Sequence, residues 1–600
     1  MKKANQLLVM PRVVDRVGEW YTFPLGIPYV SSALKRAGYN IYTLNLNNVE
    51  GDVYDILKYE IERNDIEIIS TGGLSFQYNA IKEIVSEAKY IKKDIVTIVG
   101  GGIITSVPEV AMEALEFVDY GIIGEGEITN CELTEAIEEG KNIGKIKGII
   151  YKKDGKYVRN LPRPEIEDLD TIPFPDYEGF GFDKIMNAEA CTLGINHTNT
   201  ITMLSSRSCP FQCTFCFHSS GKKYRQRSLN NFFEELDYLV EKYGVKYIFI
   251  ADELFAYNME RVKEFCSCIK KYDIKWHAQF RVCDITEELV LLLKDSNCEI
   301  MGFGLESADN RILKSMKKGI TIQQTEKALK LAYDVGIATQ GTFIFGDVEE
   351  TIETATNTLN WWKEHSYYAI GLIFVTTFPG TPIYKYAVEK GIIKDEIAFL
   401  KEGCPTINIS KMTKDEVAYI SQQISILPQQ NLKVPFQIRN VEIDKIKKNI
   451  SFRAKCATCK SDNVWEHVRL FNRNPITCKV CGQRHKMPIM KDIVLEINKN
   501  LGELLKESKK IGVWGINDYI CEFFEYVDQI SDEGIYFIDS SKMKQGSILN
   551  GKIVYSPEII AQEKIDTIII PLVDYFSVIE KQARAEYKAI VRVISLTDLI

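Results

Sequence analysis

The chain has 600 residues, 45% of them hydrophobic, and a formal net charge of −8. That length is too great for one core and suggests roughly four domains of about 150 residues. The acidic balance argues against a dedicated nucleic-acid binder, which would carry a basic face, and no apolar run approaches the roughly 18–20 residues that span a bilayer.

The opening "MKKANQLLVMPRVV" begins like a signal peptide, but its apolar stretch is short and reads better as a strand. Fifteen cysteines are present, seven of them in two tight clusters. That arrangement suits a reducing compartment, so a cytoplasmic protein without a membrane span is expected.

Residues 1–145 alternate strands and amphipathic helices. "QLLVMPR", "NIYTLNL", "IEIISTGG", "IVTIVGGG" and "YGIIGEGE" are strands, and "GIPYVSSALKRAG" is a helix. The alternation predicts a doubly wound parallel sheet whose ligand lies at the carboxyl ends of the strands. Three turns stand there: Thr71-Gly72-Gly73-Leu74-Ser75, Gly100-Gly101-Gly102 and Gly124-Glu125-Gly126. Their bare backbone suits close approach by a nucleotide, a flavin or a corrinoid. Residues 146–195 hold a hairpin around Asp154-Gly155 and an acidic, Pro-rich linker.

Residues 196–400 repeat strand-then-helix about six times, which predicts a partial (β/α)6 barrel. A helical segment is expected over 401–450. Residues 505–600 form another βα series, beginning "KIGVWGIN" and "EGIYFIDS". Asp539 ends its second strand, where a ribose-binding acid would sit, but Asn517 and Ile520 stand where glycines would be wanted. A docking or folding module is the preferred reading.

Residues 451–490 carry Cys456 and Cys459, then Cys478 and Cys481, two C-x2-C knuckles separated by 18 residues. This is the four-thiolate spacing of a zinc ribbon, a closed and structural Zn2+ site. An auxiliary iron–sulfur cluster is the minor alternative, and His485 a less favoured ligand. Arg473, Lys479, Arg484 and Lys486 make a mild basic patch. On an acidic chain, a structural or docking role is preferred to nucleic-acid binding.

"SSRSCPFQCTFCFHSS" (205–220) places Cys209, Cys213 and Cys216 in one loop after the first strand of the six. Three thiolates are one short of a zinc site. They suit a [4Fe–4S] cube with one iron left open to a small molecule. His218, just beyond, reads as a loop-packing residue.

"CPFQCTFC", with the aromatic Phe215 before its last cysteine, resembles the signature loop of the radical S-adenosylmethionine (SAM) superfamily. "IFIADELF" (248–255), the stretch 278–319 and "GTFIFGDVEET" (341–351) continue the resemblance. With the glycine-rich N-terminal domain they point to the branch carrying a Rossmann-like cobalamin-binding domain. The resemblance implies that the amine and carboxylate of SAM occupy the open iron. Reduction, by a flavodoxin or ferredoxin, would then cleave SAM to a 5′-deoxyadenosyl radical in a dry site.

By the same resemblance, Asp252 or Glu253 lies near the SAM amine, although Ala251-Asp252 stands where the family has Gly-Gly. Glu306 and Ser307 would meet the ribose or methionyl end. Gln279 and Arg281 share one strand face, and Arg281 would hold the SAM carboxylate. The first histidine is His197, so the cobalamin domain offers no histidine to the lower face of cobalt.

The expected function is a cobalamin-dependent radical SAM methyltransferase of a small-molecule substrate. The C-terminal module resembles those of sugar-modifying enzymes and hints at a sugar-linked one. Ring formation or oxidation without methyl transfer is the alternative. A zinc-ribbon binding protein with a vestigial barrel is the reading from another class.

Overall fold

The computed structural model describes the chain except residues 1–2, 15–16, 189, 193–194, 472–474, 509, 542–543, 589 and 591. Arg473 of the basic patch therefore lies outside the described residues. Among those described, no helix is long and apolar enough to cross a membrane.

The N-terminal strands Asn5–Met10, Asn40–Asn45, Ile68–Gly72, Val96–Gly100 and Tyr120–Ile122 are parallel, with the second outermost, followed by the first, third, fourth and fifth. The order reverses between the first strand and the third, so the Thr71–Ser75 turn sits at the topological switch point. The sheet does not stop at residue 145. Strands Ile149–Lys153 and Lys156–Arg159 extend it antiparallel from Tyr120–Ile122 to seven strands. Tyr120–Ile122 is only three residues long, and Ile149 and Ile150 are fully buried beside it. The hairpin thus shields a short edge that would otherwise stand open.

Six parallel strands form the central sheet in chain order: Thr200–Met203, Tyr247–Ile250, Lys275–Phe280, Cys298–Glu306, Ala338–Phe345 and Gly371–Phe374. Helices cover its outer face. Helix Leu229–Tyr243 shows the local logic. The Ser228 side chain accepts from the Asn231 amide, Phe232, Phe233, Leu236 and Leu239 are buried at helical spacing, and Gly244 ends the helix at φ +64°. Each such side chain contributes about 1.5–3 kcal/mol by leaving water. One hydrophobic core runs from Phe23 and Tyr177 through Phe232 to Trp276 and Trp362, so the first two sheets are packed as one body.

Residues 401–450 are only partly helical. Helix Lys414–Asn431 is followed by strand Phe436–Asp444, which pairs antiparallel with Asn449–Lys455, itself paired with Asp462–Arg469. The four-cysteine unit therefore begins near residue 436, earlier than its cysteines suggest. That first strand is mostly exposed, and its alternation, Phe436/Ile438 then Val441/Ile443, is broken by a register shift at Arg439, so it is weakly marked. Helix Lys491–Glu507 and the last sheet, built on strands Ile511–Trp514, Ile535–Ile538, Lys552–Tyr555, Thr567–Ile570 and Arg592–Ser595, share a core with this unit.

Candidate active site

The carboxyl ends of the central strands open on a cavity of about 590 Å³. Cys209, Cys213 and Cys216 line it, with Gln279, Arg281 and Glu306. From the N-terminal sheet come Leu74, Ser75 and Gly102. Residues from both sheets, far apart in sequence, thus face one space.

The cysteine loop is held from two sides. The Thr214 amide donates to the Met316 carbonyl at 3.0 Å, and the Ile383 amide donates to the Thr214 carbonyl at 3.2 Å. Cys213 is buried, and Cys209 and Cys216 are half-buried. A hydrogen bond from Cys216 pulls the Cys213 thiol down to about 6 against the effect of burial, with Lys318 assisting, while the same bond drives Cys216 upward. Burial raises Cys209. Among the described residues no fourth cysteine lines the cavity. Three thiols on one wall would hold three irons of a [4Fe–4S] cube and leave the fourth without a protein thiol. Phe215 of this loop lines the cavity and packs, partly buried, against the core that contains Ile383 and Ile312.

Strand Lys275–Phe280 and the residue after it deliver Gln279 and Arg281. The Arg281 guanidinium lies 3.4 Å from the Phe211 ring centre and donates to the carbonyls of Lys318 (3.1 Å) and Gly319 (3.3 Å). The Gln279 amide has no hydrogen bond among the described residues and lies over Gly302, where a Cβ would come within 2.6 Å of it. Strand Cys298–Glu306 shifts register against its neighbour between Gly304 and Glu306. Glu306 takes φ +63°, a costly conformation for a residue with a side chain. The bulge aims its carboxylate at the cavity, where Lys318 meets it at 2.7 Å. Burial disfavours the Lys318 charge, and Glu306 and Cys213 more than restore it.

Of the acidic pair, Glu253 reaches the cavity and Asp252 does not. Glu253 bonds His218 Nδ1 at 2.6 Å, which raises the histidine's basicity. Asp252 is 2% exposed and accepts from the amides and hydroxyls of Ser205 and Ser206, all within 3.1 Å. It fixes the start of the cysteine loop. Ser307 likewise points away, with its hydroxyl against Thr358 at 3.1 Å.

The glycine turns divide in the same way. The Thr71 hydroxyl donates to the Val9 carbonyl, and Gly72, Gly73 and Gly100 pack backbone to backbone behind the cavity. Gly101 has φ +83°, and a Cβ there would meet the Gly73 carbonyl at 2.8 Å. A Cβ on Gly102 would strike Leu74 at 2.6 Å and Phe217 of the cysteine loop at 3.3 Å. Close docking of the two sheets therefore requires that glycine. Gly124 and Gly126 lie outside the lining. Glu125 joins the two sheets instead. Its carboxylate, 6% exposed, pairs with Arg207 and Arg225 at 2.8 Å and accepts the Ile166 amide. Glu127 also pairs with Arg207, at 2.6 Å. Removing one partner from such a buried network costs about 3–5 kcal/mol.

These turns leave bare backbone at the switch point, and the exposed Leu74 and Phe76 project beside it. A broad, flat corrinoid fits such a surface. Sequence reasoning passed over Lys318 and Phe211 and underrated His218. Lys318 sits in "KKG", which has no local mark, and its role depends on folding next to Glu306.

The thiols of Cys456, Cys459, Cys478 and Cys481 lie within 4.8 Å of one another and could hold one metal ion. Amides of Thr458 and Cys459 donate to Cys456 Sγ at 3.3 Å. His485 Nε2 accepts from the Ala457 amide at 3.1 Å, so Nδ1, 3.1 Å from the Gln483 carbonyl, carries the proton. His485 thus braces the first knuckle. In the last sheet, Asp539 is bonded to Lys544 at 2.9 Å and to the Ser541 amide at 2.9 Å.

Sequence models of two families match the chain: the radical SAM superfamily over residues 203–361 and the B12 binding domain over residues 11–134. Uncharacterized methyltransferase PH0819 of Pyrococcus horikoshii is 33% identical over 405 residues, which is 66% of this chain and 85% of that protein. The anaerobic magnesium-protoporphyrin IX monomethyl ester cyclase of Rubrivivax gelatinosus is 28% identical over 385 residues, 62% of this chain and 67% of the cyclase. Among solved structures, the radical SAM methyltransferase TsrM from Kitasatospora setae, with cobalamin and a [4Fe-4S] cluster bound, shares the fold. The TM-score is 0.55 at 20% identity, over 65% of this chain and 75% of TsrM. The three-cysteine loop, the glycine-rich sheet and these matches agree: the chain belongs to the radical SAM superfamily, in the branch with an N-terminal B12-binding domain, and is a cobalamin-dependent radical SAM enzyme.

Proposed function

We propose that this enzyme transfers a methyl group to an unactivated carbon of a small molecule, with its central sheet acting as a partial (β/α)6 barrel. The observation that carries the reading is the one cavity shared by the three-cysteine loop and by Leu74, Ser75 and Gly102 of the B12-binding domain. Transfer to carbon needs methyl donor, radical source and substrate within one water-poor space. When bound, the cluster, SAM and cobalamin supply reductive C–S cleavage, hydrogen abstraction and a methyl carrier.

The chain's own residues would position these groups. Cys209, Cys213 and Cys216 hold three irons. Arg281, oriented by Phe211 and two carbonyls, takes the SAM carboxylate in a charge-assisted bond. Glu253, oriented by His218, takes the amine. The unengaged Gln279 amide and the Glu306–Lys318 pair face the ribose end. Phe211, Leu254, Phe378 and Pro379 make the wall apolar and keep water out. The four C-terminal thiols hold Zn2+ as a closed ribbon, and a flavodoxin or ferredoxin in the cytoplasm serves as reductant.

The similarity to a ring-forming cyclase favours a second reading, radical chemistry without methyl transfer. Anaerobic reconstitution with iron, sulfide, cobalamin, SAM and a reductant separates the two. Methyl transfer predicts cobalamin-dependent S-adenosylhomocysteine alongside 5′-deoxyadenosine. Cleavage to 5′-deoxyadenosine alone, with cobalamin bound, would overturn the methyltransferase reading and favour the cyclase.

A further inference from the structure

A second cavity, of about 420 Å³, lies at the other end of the central sheet, where helix Ile322–Asp334 and the 366–369 turn meet the four-cysteine unit. Its volume is ordinary for a small-molecule site. Tyr333, Tyr367 and Tyr368 line it, with ring centroids 5.5 Å apart for the first pair and 4.4 Å for the second. Lys330 and Lys433 also face it, and Arg484 lines it together with a smaller adjoining space.

Arg484 is 9% exposed. One terminal nitrogen, Nη1, donates to the Ala369 carbonyl at 2.7 Å. The other, Nη2, is buried and has no partner among the described residues. Asp334, the single acid on the lining, is already paired with Lys330 at 2.6 Å. Burial alone acts on the guanidinium and pulls it down to about 10, with no carboxylate to oppose it. A buried cation without a counter-charge costs several kcal/mol. Arginine's planar fork matches a carboxylate or phosphate, and the tyrosines offer faces for a ring.

We propose that this pocket binds a small organic anion, a carboxylate or phosphate on a flat ring, with the Arg484 side chain, turned so that its unpartnered Nη2 meets the anion, as its anchor. The site is independent of the methyl-transfer reading. Its occupant would brace the four-cysteine unit against the helix and strand ends beneath it, so binding raises thermal stability.

The test is thermal unfolding of the full-length protein, with its metals and without oxygen. The probes are phenyl phosphate, benzoate, inorganic phosphate, neutral benzamide, and sodium chloride at matched ionic strength. Phenyl phosphate and benzoate are expected to raise the midpoint with saturation, and benzamide and chloride to leave it unchanged. Arg484→Met should unfold no earlier than the parent, having lost a lone buried charge, and should bind phenyl phosphate at least about tenfold more weakly. Should that variant fail to fold, Tyr367→Ala decides: Tyr367 is 42% exposed at the mouth, and its loss should weaken phenyl phosphate in equilibrium dialysis and spare inorganic phosphate. No shift with any anion, or an equal shift in Arg484→Met, overturns the site. Equal responses to phenyl phosphate and inorganic phosphate overturn the flat-ring assignment.

Discussion

The two ends of the central sheet carry the same residue type to opposite purposes. At the carboxyl ends, three cysteines are spread along the wall of an open cavity, with Glu306 bulged inward beside Lys318. At the amino ends, four cysteines close within 4.8 Å of one another, and Gly482 of their unit packs so tightly that a Cβ would lie 3.3 Å from the Ala338 amide. Three ligands leave a corner free for chemistry. Four leave none, and a metal held there would be an anchor. Number and spacing of thiols, rather than their presence, separate reaction from support.

Exchanging the losses gives the largest expected effects. Cys213→Ala should reduce 5′-deoxyadenosine formation to background, with the unfolding midpoint moved by about 1 kcal/mol or less. Cys478→Ala should do the reverse. Iron–sulfur absorbance and some SAM cleavage should survive, but the unit from residue 436 onward should lose several kcal/mol, since structural zinc supplies about 10–16 kcal/mol to small zinc-folded peptides. If the four thiols hold zinc, a chelator should reproduce the second phenotype. A Cys478→Ala protein that keeps its stability but loses SAM cleavage would erase the distinction between the ends.

The ends also differ in how they answer pH. Beyond the carboxyl end of strand Ala338–Phe345, burial pushes Glu350 up to about 8. A carboxyl group raised above its unfolded value favours folding at low pH, and that contribution is lost as pH rises from about 4.5 through 8. At the amino end, burial pushes His277, bonded to the Tyr247 hydroxyl at 3.0 Å, down to about 4. Its contribution is present above about 6.5 and is lost as pH falls through 4. Glu350→Gln should therefore flatten the alkaline limb of stability against pH, and His277→Gln the acid limb. Each effect should be of the order of a few kcal/mol, at about 1.4 kcal/mol for every tenfold change in proton affinity. Denaturant midpoints from pH 4 to pH 9 check both, and identical profiles for the two variants would show that neither group behaves as its burial demands.

Within the carboxyl end, Arg281 is expected to matter less than the cysteines. Arg281→Lys keeps a charge but loses the planar stacking on Phe211 and the forked geometry. Loss of a charge-assisted bond of about 1.5–3 kcal/mol predicts a KM for SAM raised roughly 10- to 100-fold, with kcat less affected. An unchanged KM would remove Arg281 from SAM binding.

Much of this was legible in the sequence. The strands of all three parallel sheets carry apolar runs or alternation that a local window detects, and each cysteine set lies within tens of residues. What escaped depends on pairing at a distance. Glu125 looks like a turn residue until Arg207 and Arg225 fold onto it. Asp252 and Glu253 are neighbours, yet the irregular segment after strand Tyr247–Ile250 sends one to Ser205 and the other to the cavity. Strand Phe436–Asp444 alternates only in two short pieces, Phe436/Ile438 and Val441/Ile443, split where its register shifts at Arg439, and most of it is exposed. Arg484 reads in the sequence as one of a surface basic patch, yet it folds to 9% exposure with Nη2 unpartnered among the described residues.

The smallest effect concerns the first and last sheets, both built on parallel, doubly wound strands; among the described residues, turns of the first line the shared cavity and those of the last do not. In the last sheet, Gly515 has φ +86°, a conformation that would suit a turn approached by a ligand. Yet a Cβ there would meet Leu572 at 2.9 Å and Ile579 at 3.1 Å, so side chains already fill the space a phosphate would need. Asp539, placed where a ribose acid would stand, is taken by Lys544, which also donates to the Ile516 carbonyl at 2.6 Å. Lys544→Met frees that carboxylate at a cost of about 1–3 kcal/mol, because Asp539 itself is buried and keeps only amide partners. If the turn is closed by packing, as the leucine and isoleucine indicate, neither the parent nor this variant should be stabilised by millimolar adenosine nucleotides in thermal unfolding. A midpoint that rises with nucleotide only after Lys544→Met would instead mean that a single lysine keeps shut a site the fold still retains.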